Sequence, residues 1–322
     1  MTETEQTMLA AAMDSFGGVE TIRVRELPMP RTGPGEVLIR VEAAGVGSWD
    51  AVEREGAYDG AFGVPSTFPY VLGWDGAGTV SAIGADVAGF SPGDRVYAAT
   101  MPLPRGGFYA QYTVVAQEHV ARVPAGLAME QAAAMPWDAL TALSGLDALE
   151  LRPGRSLMVF GASGGIGHLA LQLAKHHGAR VLAVASGADG VALVSQLGAD
   201  LAVDGHREDV PAAARAFAPD GLDGAVVTAG GQVVDLALSA VRDGGCVAFP
   251  NGVTPEPRTR PAVRLVRYDG ARDRAATDRL NRLIEAGAFA VHVDHVFTLE
   301  QAAEAHRLIA GHHLGKVVLQ IT

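Results

Sequence analysis

The stretch SLMVFGASGGIGHLALQLAKHHG, from Ser156 to Gly178, is predicted to form a strand, a glycine-rich turn and a helix in direct succession. The run SLMVF is short and apolar, which is typical of a buried strand, and the apolar residues after Gly165 repeat at helical spacing. Gly178 follows a lysine and two histidines, a pattern that ends a helix. The glycines of GASGGIG therefore fall where a strand turns into a helix, and this context makes the motif much more specific than an isolated glycine pattern.

The glycine loop has the chemistry to hold a dinucleotide. Gly161 allows the tight turn, Gly164 lets the backbone approach a pyrophosphate, and Gly167 lets helix and strand pack closely. The N-terminus of the helix adds free N–H donors and a partial positive charge. The loop residues that we expect to contact the cofactor are Gly161, Ser163, Gly164, Gly165, Ile166 and Gly167. The alternative is a glycine-rich turn that binds no ligand.

Strands and helices alternate from the loop onward. Further strands are predicted at RVLAVAS, ADLAV, GAVVTAG and GCVAFP, with helices around residues 191–197 and 233–241. Such repeated β-α units, with strands apolar on both faces, predict a parallel sheet covered by helices. The tail is predicted as a strand over 292–297, a helix over 299–310 and the final strand KVVLQIT.

The chain before Pro124 has a different pattern. Short β-like runs at 36–43, 76–82, 95–99 and 111–115 are separated by turn signals. An Ala- and Leu-rich segment with helical spacing follows at 127–149. We therefore expect an α/β protein with a β-rich domain and a doubly wound domain, and 322 residues suit about two domains.

Composition excludes several classes of protein. Asp and Glu number 36 against 25 Lys and Arg, a net charge of -11, and without a local basic stripe a nucleic-acid partner is not expected. The chain has no uninterrupted apolar stretch of about eighteen residues, so a membrane span is not expected either. The acidic N-terminal segment does not resemble an export signal. Cys246, the lone cysteine, excludes an internal disulfide and fits a reducing compartment, so we expect a soluble cytoplasmic protein.

The residues after the next strand favour one nucleotide over the other. NAD enzymes usually place an acid about twenty residues past the loop to bind the ribose 2′-OH. Here Ala185, Ser186 and Gly187 occupy that neighbourhood, although Asp189 is close. We therefore predict NADPH, with Ser186 at the phosphate; the alternative for this serine is an ordinary helix N-cap. The basic partner of the 2′-phosphate would come from Arg207, Arg267 or Lys316.

Several segments, in this order and spacing, resemble the zinc-independent quinone oxidoreductase branch of the medium-chain dehydrogenase/reductase superfamily. The resemblance spans nearly the whole chain. Its pieces are PGEVLIRVEAAGVGSWD (34–50), LGWDGAGTV (72–80), GFSPGDRVYA (89–98), GGFYAQY (106–112), AAAMPWDALTALSGL (132–146), the glycine loop, SQLGAD (195–200) and HLGKVVL (313–319).

The resemblance implies a domain plan and further cofactor contacts. It implies a GroES-like catalytic domain from residues 1–125 and 291–322, and a Rossmann nucleotide-binding domain over 126–290. The active site is expected in the cleft between the two domains, and a homodimer is expected. Thr141 matches a residue near the nicotinamide, and Asn251 and Gly252 match a loop that contacts the nicotinamide amide.

Zinc-dependent relatives hold a catalytic metal with Cys, His and Cys, and those positions match Gly47, Trp74 and Trp137 here. None of these three residues has a side chain that ligates zinc, so we expect no metal ion. Without a Lewis acid, oxidation of a simple alcohol is disfavoured. Hydride addition to a quinone or an activated enone needs less assistance, because the electron-poor acceptor delocalises the incoming charge.

The substrate contacts are predicted partly from the same resemblance. Tyr58 matches a family tyrosine that faces the pocket, and Tyr58 and Ser48 are our candidates to hydrogen-bond the substrate oxygen. A surface tyrosine and a loop serine are the alternatives. We expect Trp49, Trp74 and Trp137 to wall a flat pocket for planar acceptors, and simple core packing is the alternative. Asp50 is expected to hold loop structure.

The function predicted is therefore an NADPH-dependent reductase of quinones or α,β-unsaturated carbonyls, acting on a small molecule. One alternative is an enoyl-thioester reductase of a biosynthetic pathway, which would share loop and fold. The other is a non-catalytic NADPH-binding protein. Fold alone does not separate the three.

Overall fold

The computed structural model describes residues 6–63 and 65–321, and the chain divides into two compact units. The first unit runs to Trp137 and also includes Arg272–Asn281 and the residues from Val293 onward. The second unit consists of Asp138–Ala271 and Arg282–His292. Each unit has its own hydrophobic core.

The strands and helices follow the alternation that the sequence predicts. The strands are β1 (Thr7–Met13), β2 (Arg23–Pro28), β3 (Glu36–Val46), β4 (Tyr70–Val71), β5 (Asp75–Ile83), β6 (Arg95–Ala99), β7 (Tyr112–Ala116), β8 (Val120–Arg122), β9 (Ser156–Phe160), β10 (Arg180–Ala185), β11 (Leu201–Asp204), β12 (Leu222–Val227), β13 (Val241–Pro250), β14 (Arg264–Tyr268), β15 (Val293–Thr298) and β16 (Lys316–Gln320). The helices are α1 (Ser48–Arg54), α2 (Met129–Ala134), α3 (Pro136–Ala148), α4 (Gly165–His176), α5 (Gly187–Gln196), α6 (Val210–Phe217), α7 (Gln232–Leu238), α8 (Arg274–Glu285) and α9 (Ala302–Ile309).

The second unit contains a parallel sheet in the order β11-β10-β9-β12-β13-β14. At its centre Met158 of β9 pairs with Leu182 of β10 and with Ala225 of β12, and all three are fully buried. Strands buried on both faces are typical of α/β proteins. The predicted fold class is confirmed. Because parallel strands end at the same edge, the residues that follow β9, β10 and β13 lie along one edge of this sheet.

The first unit is mainly antiparallel. Its larger sheet has the order β15-β16-β3-β5-β6-β8, and β7 also pairs with β3. Ala44 of β3 lies between Gly76 of β5 and Leu319 of β16, so the C-terminal strand belongs to this sheet. A smaller sheet has the order β2-β1-β4.

The helical segment predicted over 127–149 is two helices, α2 and α3. Met135 separates them: Pro136 has no N–H to donate to the preceding turn, so α2 ends before it, and the same proline is tolerated as the first residue of α3. A Cβ placed on Gly45 of β3 would lie 2.8 Å from the Ala133 carbonyl oxygen, so α2 packs closely on β3. This packing places α2 in the first unit, and the boundary lies at 137 instead of the expected 125.

The start of α8 also differs from the expected division. The Tyr97 hydroxyl donates to Asn281 at 2.7 Å, and Arg274 donates to the Val120 carbonyl at 3.3 Å. These contacts explain why Arg272–Asn281 groups with the first unit. The resemblance implies instead that residues 126–290 all belong to the nucleotide-binding domain.

Candidate active site

The glycine loop between β9 and α4 has the geometry that a dinucleotide needs. Gly161 has φ +80°, and a Cβ there would lie 2.3 Å from the Thr228 hydroxyl oxygen. A Cβ on Gly167 would lie 2.1 Å from the Gly161 carbonyl oxygen, so helix and loop approach too closely for any side chain. A Cβ on Gly164 would meet only that same oxygen, at 3.5 Å, and the space beside Gly164 is otherwise open.

The first turn of α4 faces this open space. The helix begins at Gly165 with Gly164 as its N-cap, so its first N–H groups, including those of Gly165, Ile166 and Gly167, have no acceptor within the helix. Ser163 is buried, and its hydroxyl accepts a bond from the Ser186 N–H at 3.3 Å. The loop is thereby joined to the end of β10. The free N–H donors of α4, the positive end of its dipole and the open space at Gly164 together fit a pyrophosphate.

Ser186 stands at the N-cap of α5, but its side chain makes no capping bond. Its hydroxyl instead lies 3.0 Å from His206 Nε2. Arg207 follows, with its side chain 82% exposed and its Nε 3.9 Å from the Asp204 carboxylate. Arg207 is adjacent in sequence to His206, the residue that contacts Ser186. The nearby acid Asp204, which sequence reasoning did not consider, already accepts from the His206 N–H at 3.0 Å.

The other two candidate cations have different surroundings. Arg267 forms an ion pair with Glu256 and lies over the Phe249 ring. Lys316 belongs to the first unit, where it is buried and its Nζ lies 4.9 Å from the centre of the Trp49 ring.

The residues expected near the nicotinamide lie in the second unit. Asn251 and Gly252 follow β13 at the carboxyl edge of the sheet. The Asn251 amide donates to Asp269 at 2.6 Å, while Gly252 has φ +95° and open space around its Cα. Thr141 is buried in α3. The structure therefore places the Gly161 loop, Ser186 and Asn251 along one edge of one sheet.

The three tryptophans form one cluster with Tyr58 in the first unit. The Trp74 and Trp137 ring centres are 4.6 Å apart, Trp49 lies 6.0 Å from each of them, and Tyr58 lies 5.3 Å from Trp74. Trp74 is only 3% exposed, so it packs as a core residue, whereas the other three rings are half-buried. Trp49, Trp137 and Tyr58 are thus the members that retain a surface for a ligand.

Two cations flank the aromatic cluster. Lys316 faces Trp49, and the Arg272 guanidinium lies 4.4 Å from the centre of the Trp137 ring. Such cation–π contacts fix ring orientation as well as adding stability. Ser48, the other candidate for the substrate oxygen, is the exposed first residue of α1.

Glu53 is a site residue that sequence reasoning missed. It is 4% exposed, and its carboxylate accepts from the Tyr70 hydroxyl and from Trp74 Nε1, both at 2.6 Å. Burial raises the pKa of Glu53 to about 7, although both hydrogen bonds act in the opposite direction. A carboxyl with this pKa is poised to exchange a proton near neutral pH.

Asp50 has the structural role that the sequence predicts. Its carboxylate accepts the Gly47 N–H at 2.8 Å at the start of α1, and it also accepts the Tyr109 hydroxyl at 3.3 Å. Burial is the main cause that raises the pKa of Asp50 to about 7. The carboxyl is completely buried, so it holds α1 in place rather than facing solvent.

A chain of buried hydrogen bonds continues from Asp50. His306 Nε2 lies 3.2 Å from the Tyr109 hydroxyl, and Arg54 donates to His306 Nδ1 at 3.1 Å. Burial and the adjacent Arg54 cation lower the pKa of His306 to about 3. The imidazole is therefore neutral, with Nδ1 accepting from Arg54 and Nε2 donating to Tyr109.

The positions matched to zinc ligands hold no ligating side chain, since Gly47 is the N-cap of α1 and the other two are the paired rings of Trp74 and Trp137. Over residues 6–63 and 65–321, no group of three or more His, Cys, Asp or Glu side chains is arranged to hold a metal ion. The same residues include no helix long and apolar enough to cross a membrane.

Comparison with known proteins agrees with this arrangement. The family "Alcohol dehydrogenase GroES-like domain" matches residues 33–125, and the family "Zinc-binding dehydrogenase" matches residues 165–266. The chain is 32% identical to the NADPH-dependent alkenal/one oxidoreductase, chloroplastic, of Arabidopsis thaliana, over 97% of this chain and 79% of that one. It is 33% identical to a quinone oxidoreductase of Pseudomonas aeruginosa, over 95% of this chain and 97% of that one.

The chain belongs to the medium-chain dehydrogenase/reductase superfamily. Within the superfamily it is quinone-oxidoreductase-like, and the predicted resemblance is confirmed. A solved structure of an NAD-dependent alcohol dehydrogenase has the same fold, with a TM-score of 0.89 and 32% identity over 98% of this chain and 100% of that one. The protein is therefore a medium-chain oxidoreductase with a GroES-like domain and a Rossmann-like sheet, and its relatives use either nicotinamide nucleotide.

Proposed function

We propose that this medium-chain reductase uses NADPH to reduce a quinone or an α,β-unsaturated carbonyl without zinc. The observation that carries the proposal is the pair of indole rings, Trp74 and Trp137, 4.6 Å apart at two positions matched to zinc ligands. The half-buried rings of this cluster, Trp49 and Trp137, offer apolar ring surface in place of a Lewis acid. Relatives that act on quinones and on alkenals or enones support this substrate class.

NADPH is proposed because the second unit offers it a fitting set of groups. The open space at Gly164 and the N-terminus of α4 suit the pyrophosphate. At the end of β10, Ser186, His206 and the exposed Arg207 offer hydrogen-bond donors and a cation to a 2′-phosphate. An acid bonded to a ribose 2′-OH would favour NADH, but Asp204 is already bonded to backbone N–H groups.

The residues at the positions matched to zinc ligands guide the choice of acceptor. A zinc ion makes an alcohol acidic enough to release hydride, and the residues Gly47, Trp74 and Trp137 supply no ligand for one. A quinone or an enone spreads the incoming charge over its own conjugated system. We therefore propose a substrate that is planar and electron-poor, stacked against the half-buried rings of Trp49 and Trp137.

The chain's own residues then have simple roles. When bound, NADPH supplies the hydride. Tyr58 donates the proton that the acceptor oxygen takes up, with Ser48 as a second hydrogen-bonding group. Burial, together with the nearby Glu53, raises the pKa of Tyr58, so the hydroxyl stays protonated until charge develops on the acceptor. Thr141, Asn251 and Gly252 hold the nicotinamide end.

The same proposal includes a homodimer in the cytoplasm. In the part of the chain that the structure describes, β14 is an edge strand, and its Leu265 is 39% exposed. An exposed edge of this kind can pair with a second copy of the same strand. Light scattering of the purified protein gives the mass directly. A cytoplasmic location is proposed because the one cysteine is a buried free thiol.

The deciding experiment is NADPH oxidation by the purified protein against quinones, enones, enoyl thioesters and saturated aldehydes. We expect turnover with the first two classes and little with saturated aldehydes. Faster turnover with enoyl thioesters would favour the biosynthetic alternative. Binding of NADPH without turnover of any acceptor would favour a non-catalytic nucleotide-binding protein.

A further inference from the structure

Glu53 is a buried carboxyl that the proposed reaction has not yet used. Both of its oxygens are engaged, one by the Tyr70 hydroxyl and one by Trp74 Nε1, each at 2.6 Å. Its position on α1 places it under the aromatic cluster and out of solvent. Burial removes the hydration of a carboxylate and so costs stability, and the two hydrogen bonds offset this cost only in part.

A small cavity lies between Glu53 and Tyr58. Both residues line it, together with Tyr70, Ser66 and Met101, and its volume is about 10 Å³. This is roughly the volume that one water molecule needs. The lining residues include three hydroxyl-bearing side chains and one carboxyl side chain, so a water there would have the polar partners that it requires. The cavity therefore joins the buried acid to the candidate proton donor.

We propose that Glu53 stores the proton that returns Tyr58 to its neutral form, and that one water in this cavity carries it. The inference rests on the proposed function, in which Tyr58 protonates the reduced acceptor. Glu53 does not touch the acceptor. It acts through Tyr58, as a positioning residue that also holds a proton.

The proton balance of the step is complete. Hydride adds to a carbon of the acceptor, and the displaced electron pair moves to the acceptor oxygen. The O–H bond of Tyr58 breaks as a new O–H bond forms on that oxygen. The Tyr58 phenolate takes a proton from the water, the water takes one from the Glu53 carboxylic acid, and Glu53 regains a proton from solvent. The acceptor gains one hydride and one proton, and no oxidant beyond the nucleotide is needed.

The groups that face Glu53 set its charge near neutral pH. Tyr70 and Trp74 donate to it from the segment that includes β4, Tyr58 faces it across the cavity, and Asp50 lies one turn earlier on α1. Burial outweighs the two donors and raises the pKa of Glu53 to about 7. Below this pH the acid is loaded with a proton, and above it the carboxylate cannot supply one.

The test compares Glu53→Gln with Glu55→Gln, an exposed glutamate two residues away. For Glu53→Gln we expect kcat with the best acceptor to fall roughly 10- to 100-fold with little change in KM, and the solvent deuterium isotope effect on kcat to rise. The decline of kcat above pH 7 that we expect of the wild type should disappear in this variant. Glu55→Gln should behave as the wild type in all three measurements.

A second readout does not depend on turnover. Because Trp74 donates to Glu53, tryptophan emission of the wild type should change with a midpoint near pH 7. The transition should persist in Glu55→Gln and vanish in Glu53→Gln. This titration is made on the wild type itself, so it stands even if Glu53→Gln does not fold.

The two proposals fail in different ways. No turnover with any acceptor would overturn the proposed function and the relay with it. Turnover in which Glu53→Gln keeps the wild-type kcat, isotope effect and pH profile would overturn the relay alone. A wild-type emission that is flat from pH 5 to 9 would also overturn the relay, because Glu53 would then not change protonation near neutral pH.

Discussion

Trp74 Nε1 donates a hydrogen bond of 2.6 Å to the buried carboxylate of Glu53. The bond ties Trp74 to α1, because Glu53 lies on that helix, and the same carboxylate also accepts from the Tyr70 hydroxyl. An indole that is 3% exposed needs an acceptor for its N–H, and a buried carboxylate needs donors. Each group therefore satisfies the other, and the orientation of the Trp74 ring follows from a residue on a different element.

The proposed preference for NADPH predicts that Arg207 contributes to the affinity for this nucleotide. We expect wild-type protein to bind NADPH on the order of tenfold more tightly than NADH, since a 2′-phosphate contact contributes about 1.4 kcal/mol or more. Arg207→Ala should remove most of this difference and leave NADH affinity unchanged. Calorimetric titration of both nucleotides measures it, and equal affinities in the wild type would contradict the assignment.

Gly164→Val should abolish nucleotide binding and leave the fold intact. The backbone at Gly164 has φ −85°, and an added Cβ meets only one atom, at 3.5 Å, so the side chain is tolerated but fills the space of the pyrophosphate. Gly167→Val is the matched comparison, because its Cβ would lie 2.1 Å from a carbonyl oxygen and should lower the melting temperature. Wild-type NADPH affinity in a folded Gly164→Val protein would show that the loop is not the phosphate site.

Trp137→Ala should lower kcat/KM for planar acceptors by several-fold, since aromatic contacts are worth about 0.5–1.5 kcal/mol beyond the area that they bury. Trp74→Ala should chiefly reduce stability, because Trp74 is a core ring bonded to Glu53. Steady-state kinetics on a quinone and an acyclic enone, with melting curves alongside, separates the two effects. Unchanged turnover of every acceptor in both variants would mean that the tryptophans only fill space.

The free energy of unfolding should depend on pH in part through the protonation of Glu53. Its pKa is about 7 in the folded protein against a usual value of 4.5, so the folded state binds the proton more tightly than the unfolded chain. Proton binding by Glu53 therefore contributes on the order of 3 kcal/mol to the free energy of unfolding. This contribution is fully present below pH 4.5 and is lost as the pH rises through 7. The free energy of unfolding of the wild type, relative to Glu53→Gln, should therefore fall across this range. A constant difference from pH 4.5 to 8 would contradict the shifted pKa.

Local signals explain where sequence reasoning succeeded in the second unit. The helix predicted from Gly165 to His177 is observed from Gly165 to His176, with Gly178 at φ +78° just beyond it. A glycine loop at the start and a glycine at the end bound this helix, and neither depends on distant contacts. The segment with helical spacing over 127–149 forms two helices, α2 and α3, and Pro136 marks the division because a proline interrupts a helix unless it lies in the first turn.

Tertiary contacts explain what the sequence did not reveal. The segment SWDAVER of α1 has mostly polar residues and no apolar stripe, so its helix was not predicted. The sequence predicts that a charged residue such as Glu53 faces solvent. Its burial depends on Tyr70 and Trp74, which are 17 and 21 residues away. The available signal was indirect: a tyrosine and a tryptophan in a short buried stretch both need a partner for a polar hydrogen.

The most direct test of the account is the spectrum of substrates reduced by protein that has been treated with a metal chelator. We expect chelated protein without stoichiometric zinc to oxidise NADPH with a 1,4-quinone and with an acyclic enone at the untreated rate, and not to reduce NADP⁺ with a simple aliphatic alcohol. Tightly bound zinc at one ion per chain, together with alcohol oxidation that chelation abolishes, would contradict it.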